Sequence, residues 1–149
     1  MLKIIALVLV GLLLVSVCLA EPAGKDKLLY QGHGSLRVVT AEGKVIYIDP
    51  YAGEGYDLPA DLILITHGHG DHTAVDLIGT KNENCQIITY AEALVNSEYK
   101  TFDLGFVKVE AVQAGNNPNH DINVCVGYIL TLPSGKTVYV SGDTSTTEQ

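Results

Sequence analysis

The sequence predicts an α+β domain in which sheets pack in layers with short helices outside. Three patterns carry this expectation. Residues 36–40 and 45–48 read as strands joined by a hairpin-type turn over 41–44. Residues 61–66 hold the apolar run Leu62-Ile63-Leu64-Ile65, which reads as a buried strand. Residues 106–112 alternate as a half-buried strand does, and 123–132 and 137–141 make a second hairpin across Pro133-Ser134-Gly135-Lys136.

The remaining elements follow in order. Residues 21–27 are a polar lead-in. Asp49-Pro50 ends the strand at 45–48, because proline has no N–H for a ladder. Residues 51–60 contain two glycines and a proline and read as loop. Residues 73–80 are expected to form a short helix with Val75, Leu77 and Ile78 apolar, capped by Asp71 or Thr73. Residues 86–89 read as a strand, 91–97 as a brief helix and 115–121 as a polar loop. There is no repeat, low-complexity tract or internal boundary, so residues 28–149 are expected to form one domain.

The chain has 149 residues and a net charge of −8, from 9 basic and 17 acidic side chains. So few basic groups argue against a nucleic-acid backbone as partner. For an enzyme that argument is weak, because bound dications reverse the local field. Residues 1–20 read as a signal peptide or N-terminal anchor. Lys3 precedes an apolar stretch over 4–17, and Cys18-Leu19-Ala20 offers small residues before Glu21-Pro22. A bacterial lipobox would want Gly or Ala where Val17 stands, which ranks lipidation lower. Export to the periplasm or exterior is expected, with membrane contact only through an uncleaved N-terminus. Cys85 and Cys125 could pair in an oxidising compartment, but nothing in their spacing demands it, and two free buried thiols are the favoured reading.

The chemistry concentrates in His67-Gly68-His69-Gly70-Asp71-His72. Three imidazoles and a carboxylate within six residues are a ligand set that zinc prefers and that manganese or iron accepts. The glycines are expected to give the backbone conformations closed to other residues, so that the side chains converge. The segment follows a buried strand, where open α/β layers place their sites. His120, in a polar loop before a strand, is either solvated or a further ligand. Asp143 follows an apolar strand through Gly142. It is either a turn residue or a bridging carboxylate with one oxygen for each of two cations.

This combination resembles the metallo-β-lactamase superfamily of dinuclear metal hydrolases. His67, His69, Asp71 and His72 match its His-x-His-x-Asp-His motif, and Ser141-Gly142-Asp143-Thr144 matches its strand-Gly-Asp-Thr element. Gly32-His33-Gly34-Ser35, followed by residues 45–50, looks like the first strands of the branch that includes ascorbate-phosphate lactonase and other metal-dependent hydrolases. The resemblance implies an αββα sandwich, of which this chain is expected to hold only the N-terminal portion. It implies two divalent metals, zinc before manganese or iron. His67, His69 and His120 would hold the first, Asp71 and His72 the second, and Asp143 would bridge. His33 would touch metal or substrate, or be a strand-end hydrogen-bonding residue. Asp49 would orient a ligand histidine through its ring N–H, or simply form an Asp-Pro turn.

The activity so implied is hydrolysis of a small-molecule ester, lactone or phosphoester by hydroxide shared between the metals. Asp71 would be catalytic, holding the nucleophile and passing its proton on. The five histidines are all used above, so the family's late histidine is expected to be absent and the chain to be C-terminally truncated. On that expectation the second metal site is weak, apolar strand faces meet solvent, and hydrolysis by the chain alone is poor. A non-catalytic metal-binding fragment or a gene remnant is the rival reading. Neither substrate nor oligomeric state follows from the sequence.

Overall fold

In the computed structural model, which describes residues 24–146, two sheets lie face to face. The first has five strands in the order β1 (Lys27–Gly32), β2 (Ser35–Val39), β3 (Val45–Ile48), β4 (Ala60–Leu64) and β5 (Lys81–Ile88). β1, β2 and β3 pair antiparallel, then β3, β4 and β5 pair parallel. A two-stranded ribbon, β6 (Leu94–Val95) and β7 (Glu98–Tyr99), follows one turn of helix, α1 (Tyr90–Ala93). The second sheet is antiparallel: β8 (Thr101–Asp103), β9 (Lys108–Gln113), β10 (Val126–Thr131) and β11 (Thr137–Val140).

The period-two pattern explains the packing. On β3, Ile46 and Ile48 face the second sheet with Val38, Leu62 and Leu64, against Val109, Val126, Tyr128 and Leu130. Val45 and Tyr47 point the other way, into a second cluster with Ile63, Ile65 and Ile78. β4 is therefore covered on both faces and wholly buried, as an interior parallel strand should be. Each fully buried Leu or Ile contributes about 1.5–3 kcal/mol relative to exposure. Tyr128 joins the sheets through polar chemistry as well, its hydroxyl donating to the Ile65 carbonyl at 3.0 Å.

Three local expectations are corrected. Residues 73–80 form only a turn of 3-10 helix at Val75–Leu77, and neither Asp71 nor Thr73 caps it. Ala74 N–H instead donates to Pro50 O at 2.8 Å, so the loops after β3 and β4 hold each other. The helix expected over 91–97 stops at Ala93. Asn96 and Ser97 take positive φ of 54° and 63° and turn β6 back into β7, as a tight hairpin requires. The strand expected at 86–89 begins earlier, at Lys81, because it pairs along β4. The polar lead-in passes into β1, which had no period of its own. Among the described residues the helical layers thus amount to α1 and one 3-10 turn.

The expectation of apolar side chains at the surface of the second sheet holds for part of it. Tyr139 and Val124 are exposed and Ile129 and Val112 half-buried, whereas Val107, Val109, Leu130 and Val140 are buried. Cys85 and Cys125 are free thiols, and burial pushes the Cys125 thiol up to about 11. The signal or anchor expected over 1–20 lies outside the described residues. No described helix is long and apolar enough to cross a membrane.

Candidate metal centre

Strand direction brings the distant candidates together. β9 and β11 both run antiparallel to β10, so the loops that follow them leave the second sheet at the same end. The first carries His120 and the second Asp143. Ser145 N–H donates to Gly115 O at 2.8 Å and ties the two segments. At the entry to β10, Val126 N–H donates to Thr66 O at 2.9 Å, which joins this end to the carboxyl end of β4, where His67 begins. Gly142 takes φ +60°, and a Cβ there would lie 3.0 Å from Thr66 Cβ, so its close approach needs glycine.

Within the His-Gly-His-Gly-Asp-His segment the backbone is ordinary, which corrects the expected role of its glycines. Gly68 and Gly70 are not among the residues with positive φ. Gly68 instead makes room for Tyr90, whose hydroxyl would sit 3.0 Å from an added Cβ. His72 N–H donates to His69 O at 3.1 Å, and this turn brings the imidazoles round to one side.

His67, His69 and His120 converge, with ring centroids 4.7–4.9 Å apart. His67 and His72 lie 4.1 Å apart by the same measure. Asp143 spans them: Oδ1 is 3.5 Å from His72 Nε2, and Oδ2 is 3.3 Å from His120 Nε2. Asp71 lies beside His33, its Oδ2 3.0 Å from His33 Nε2. All six residues picked from the sequence, His67, His69, Asp71, His72, His120 and Asp143, therefore meet in one place. His33 joins them at the rim, and Asp49 lies beneath.

Hydrogen bonds behind the cluster fix which nitrogen faces it. Asp49, buried and with φ +45° at the end of β3, has one oxygen 2.8 Å from Thr66 N and the other 2.9 Å from His72 Nδ1. Thr66 Oγ1 donates to Asp49 at 2.6 Å, so it accepts from His67 Nδ1 at 3.1 Å. Asn117 Oδ1 lies 2.9 Å from His120 Nδ1. A carboxylate, a committed hydroxyl and an amide carbonyl all accept, so in each neutral imidazole the proton sits on Nδ1 and the lone pair on Nε2. Asp49 was expected either to orient a histidine or to form a turn; it hydrogen-bonds His72 and stands at a bend of the chain after β3. Thr66 and Asn117 carried no sequence signal beyond adjacency to the ligands.

The electrostatics match. Burial, with neighbouring His72 assisting, pushes His67 down to about 4, so its imidazole is neutral at physiological pH. Burial opposes charge on His72 too, but the hydrogen bond and charge of Asp49, with Asp143 and Asp71, outweigh it and raise His72. Burial would raise Asp71, but its own backbone N–H and the neighbouring His72 and His33 hold it below the usual carboxylate range.

The Nε2 atoms of His67, His72 and His120 are buried and have no hydrogen-bond partner. Orphaned buried polar atoms are costly and rare, and three that face one another could hold a cation. Three groups have ligand atoms within 4.8 Å of one another: His67, His69 and His120; His67, His72 and Asp143; and His33, Asp71 and His72. The donor set suits a divalent metal.

The family described as the beta-lactamase superfamily domain matches residues 27–149. The chain belongs to the beta-lactamase superfamily. It is 31% identical over 144 residues to a UPF0173 metal-dependent hydrolase of Methanosphaera stadtmanae, covering 79% of this chain and 62% of the relative. To the UPF0173 metal-dependent hydrolase of Thermodesulfovibrio yellowstonii it is 29% identical, covering 91% and 66%. A crystal structure of a protein from Parabacteroides distasonis that carries a metal-dependent hydrolase name superposes with a TM-score of 0.65 and 31% identity, covering 80% of this chain and 61% of that one. The chain thus spans less than two thirds of the length of these relatives. Their shared metal-dependent name agrees with the superfamily ligand motif standing here at one end of two packed sheets.

Proposed function

We propose that this beta-lactamase-superfamily chain carries a dinuclear metal centre for hydrolysis of an ester, lactone or phosphoester. One observation carries the reading: three buried, partnerless Nε2 atoms and two carboxylates converge from three separate loops. His67, His69 and His120 would hold one ion, and Asp71 and His72 a second. Asp143 would serve both, since its two oxygens face different histidines. Zinc fits this nitrogen-rich set best, with manganese and iron as alternatives. When bound, such ions polarise a substrate oxygen and lower the pKa of water.

The chain's own residues supply the rest. A cavity of about 400 Å³ opens beside the centre, lined by Tyr30, His33, His72, Tyr139 and Asp143 among others. It is large enough for a small-molecule substrate and has apolar walls at Tyr30 and Tyr139. Asp71, half-exposed and held ionised, orients the attacking water by accepting a hydrogen bond and can then take its proton. Asp49 keeps His72 in the Nδ1–H form throughout.

The test is metal content and turnover measured together on the purified full chain, with generic ester, lactone and phosphodiester substrates. Bound metal with hydrolysis lost in Asp71→Asn is the expected result. Bound metal with no turnover on any class would leave a metal-binding protein without the proposed activity, and no bound metal would refute the centre itself.

A further inference from the structure

We propose that a second cavity beside the centre is a substrate subsite, in which the Tyr90 hydroxyl donates a hydrogen bond to a short, uncharged, oxygen-bearing arm of the substrate. The inference rests on the hydrolytic reading above for the molecule that owns the arm, and not for the binding itself. The cavity measures about 220 Å³ and is lined by Tyr90, Asn119, Val124 and Cys125 together with His69 and His120. It shares no wall residue with the larger cavity beside His72 and Asp143, so the two open on different sides of the ligand cluster. His69 and His120 are two of the three imidazoles assigned to the first ion, so a group seated here adjoins that ion. Taking about 30 Å³ for each small group, as for a water molecule, the space holds roughly seven non-hydrogen atoms.

Strand order delivers Tyr90 to this place. β4 and β5 are parallel neighbours, so their carboxyl ends present the 67–72 segment and Tyr90 side by side. Tyr90 opens α1, and a capping box fixes that single turn: Ala91 N–H donates to Thr89 Oγ1 at 3.2 Å and Thr89 N–H to Glu92 Oε2 at 2.9 Å. The ring packs against the main core. Its hydroxyl fits against Gly68, where a Cβ would stand 3.0 Å away. A tyrosine held in this way ordinarily finds a partner for its O–H. Tyr30, Tyr47, Tyr56 and Tyr128 all donate theirs to backbone carbonyls. The Tyr90 hydroxyl makes no such bond to any described residue, although core packing and the capped turn hold it in place. The walls select the occupant. The phenol donates, so the arm needs an acceptor oxygen. Asp121 borders the cavity and disfavours an anion, and an ion at His69 and His120 disfavours a cation. Val124, exposed, and Cys125, buried, offer an apolar side to the arm's carbon atoms.

The experiment measures binding and turnover separately on the full chain. Methoxyacetamide and butanamide match in length and differ only by an ether oxygen in place of a methylene. With tyrosine rings labelled, NMR titration should shift the Tyr90 resonance, and methoxyacetamide should bind about tenfold more tightly than butanamide. Tyr90→Phe should erase that preference by weakening methoxyacetamide alone. The preference should persist in chelated protein, because Tyr90 touches no metal. Val124→Phe narrows the cavity without altering a ligand and should weaken both amides. The same tenfold ratio should appear in kcat/KM for para-nitrophenyl methoxyacetate over the butanoate, each corrected for its rate with hydroxide. The nitrophenyl group is too large for this cavity, so the acyl arm occupies it. A preference retained by Tyr90→Phe, absent from the wild type, or binding undiminished in Val124→Phe would overturn the subsite. Amide binding as expected without ester turnover would refute the hydrolytic reading and leave the subsite standing. If Tyr90→Phe does not fold, nuclear Overhauser contacts in the wild type decide: the methoxy protons should reach the Tyr90 ring and the Val124 methyl groups, and their absence would sink the assignment.

Discussion

Asp49 Oδ2 lies 2.9 Å from His72 Nδ1 and accepts from Thr66 Oγ1 at 2.6 Å, so one buried carboxylate holds His72 directly and His67 through a hydroxyl. The carboxyl ends of two neighbouring parallel strands, β3 and β4, are thereby locked into one hydrogen-bonded unit. Asp49→Ala leaves Thr66 N–H and His72 Nδ1–H without their acceptor. It should destabilise the fold by about 3 kcal/mol and weaken zinc binding about 10–100-fold. Asp49→Asn keeps the volume but offers His72 an amide in place of a pure acceptor, so affinity should fall with a smaller loss of stability. Urea denaturation and competitive zinc titration measure the two effects separately.

His67→Ala and His69→Ala should each remove most stoichiometric zinc binding at neutral pH, because each deletes one of three imidazoles at the first ion. Zinc at a hundred times its Kd should stabilise the wild-type chain by about 2.7 kcal/mol and both variants by far less. Metal analysis after dialysis and thermal melts with and without chelator would show this. Wild-type metal content in both variants would contradict the assignment.

The metal-free chain should be most stable near the ordinary histidine pKa. His67 is depressed to about 4, so between about pH 6.5 and 4 the unfolded chain binds more protons, and stability falls as pH falls through that window. His72 is raised, so its contribution is complete below about pH 6.5 and is lost as pH rises through its folded value. The two slopes oppose and leave a maximum near pH 6.5. Chelated samples melted from pH 4 to 9 would reveal it. Zinc affinity should rise with pH over the same range, because protonated imidazoles cannot ligate.

Tyr128→Phe should cost about 1–2 kcal/mol. The hydroxyl is buried between the sheets and donates to Ile65 O at 3.0 Å, only two residues before His67. Phenylalanine retains the ring contacts and leaves that carbonyl short of a donor. Denaturant unfolding should show a lower midpoint with an unchanged m-value, and zinc binding should weaken only slightly.

The sequence by itself determined the ligand inventory, the buried strand that presents it and both hairpins. These depend on residue identity and short periods: the apolar run at 62–65, the alternation at 106–112 and turn residues between them. Tertiary structure decided what local periods do not encode. The segments 73–80 and 91–97 are too short for helix propensity to prevail, and contacts with Pro50 and the β6–β7 turn displaced it. β1 exists because β2 offers it an edge, although its own residues are mostly exposed. That His120 and Asp143 meet His67 follows from β9 and β11 running the same way through one sheet. The lone pairs on His67, His72 and His120 point inward because Thr66, Asp49 and Asn117 stand behind them. The Asp49–His72 bond spans 23 positions and leaves no local pattern to read, while Thr66 and Asn117 stand one and three residues from the histidines they orient, in segments whose fold the sequence does not specify.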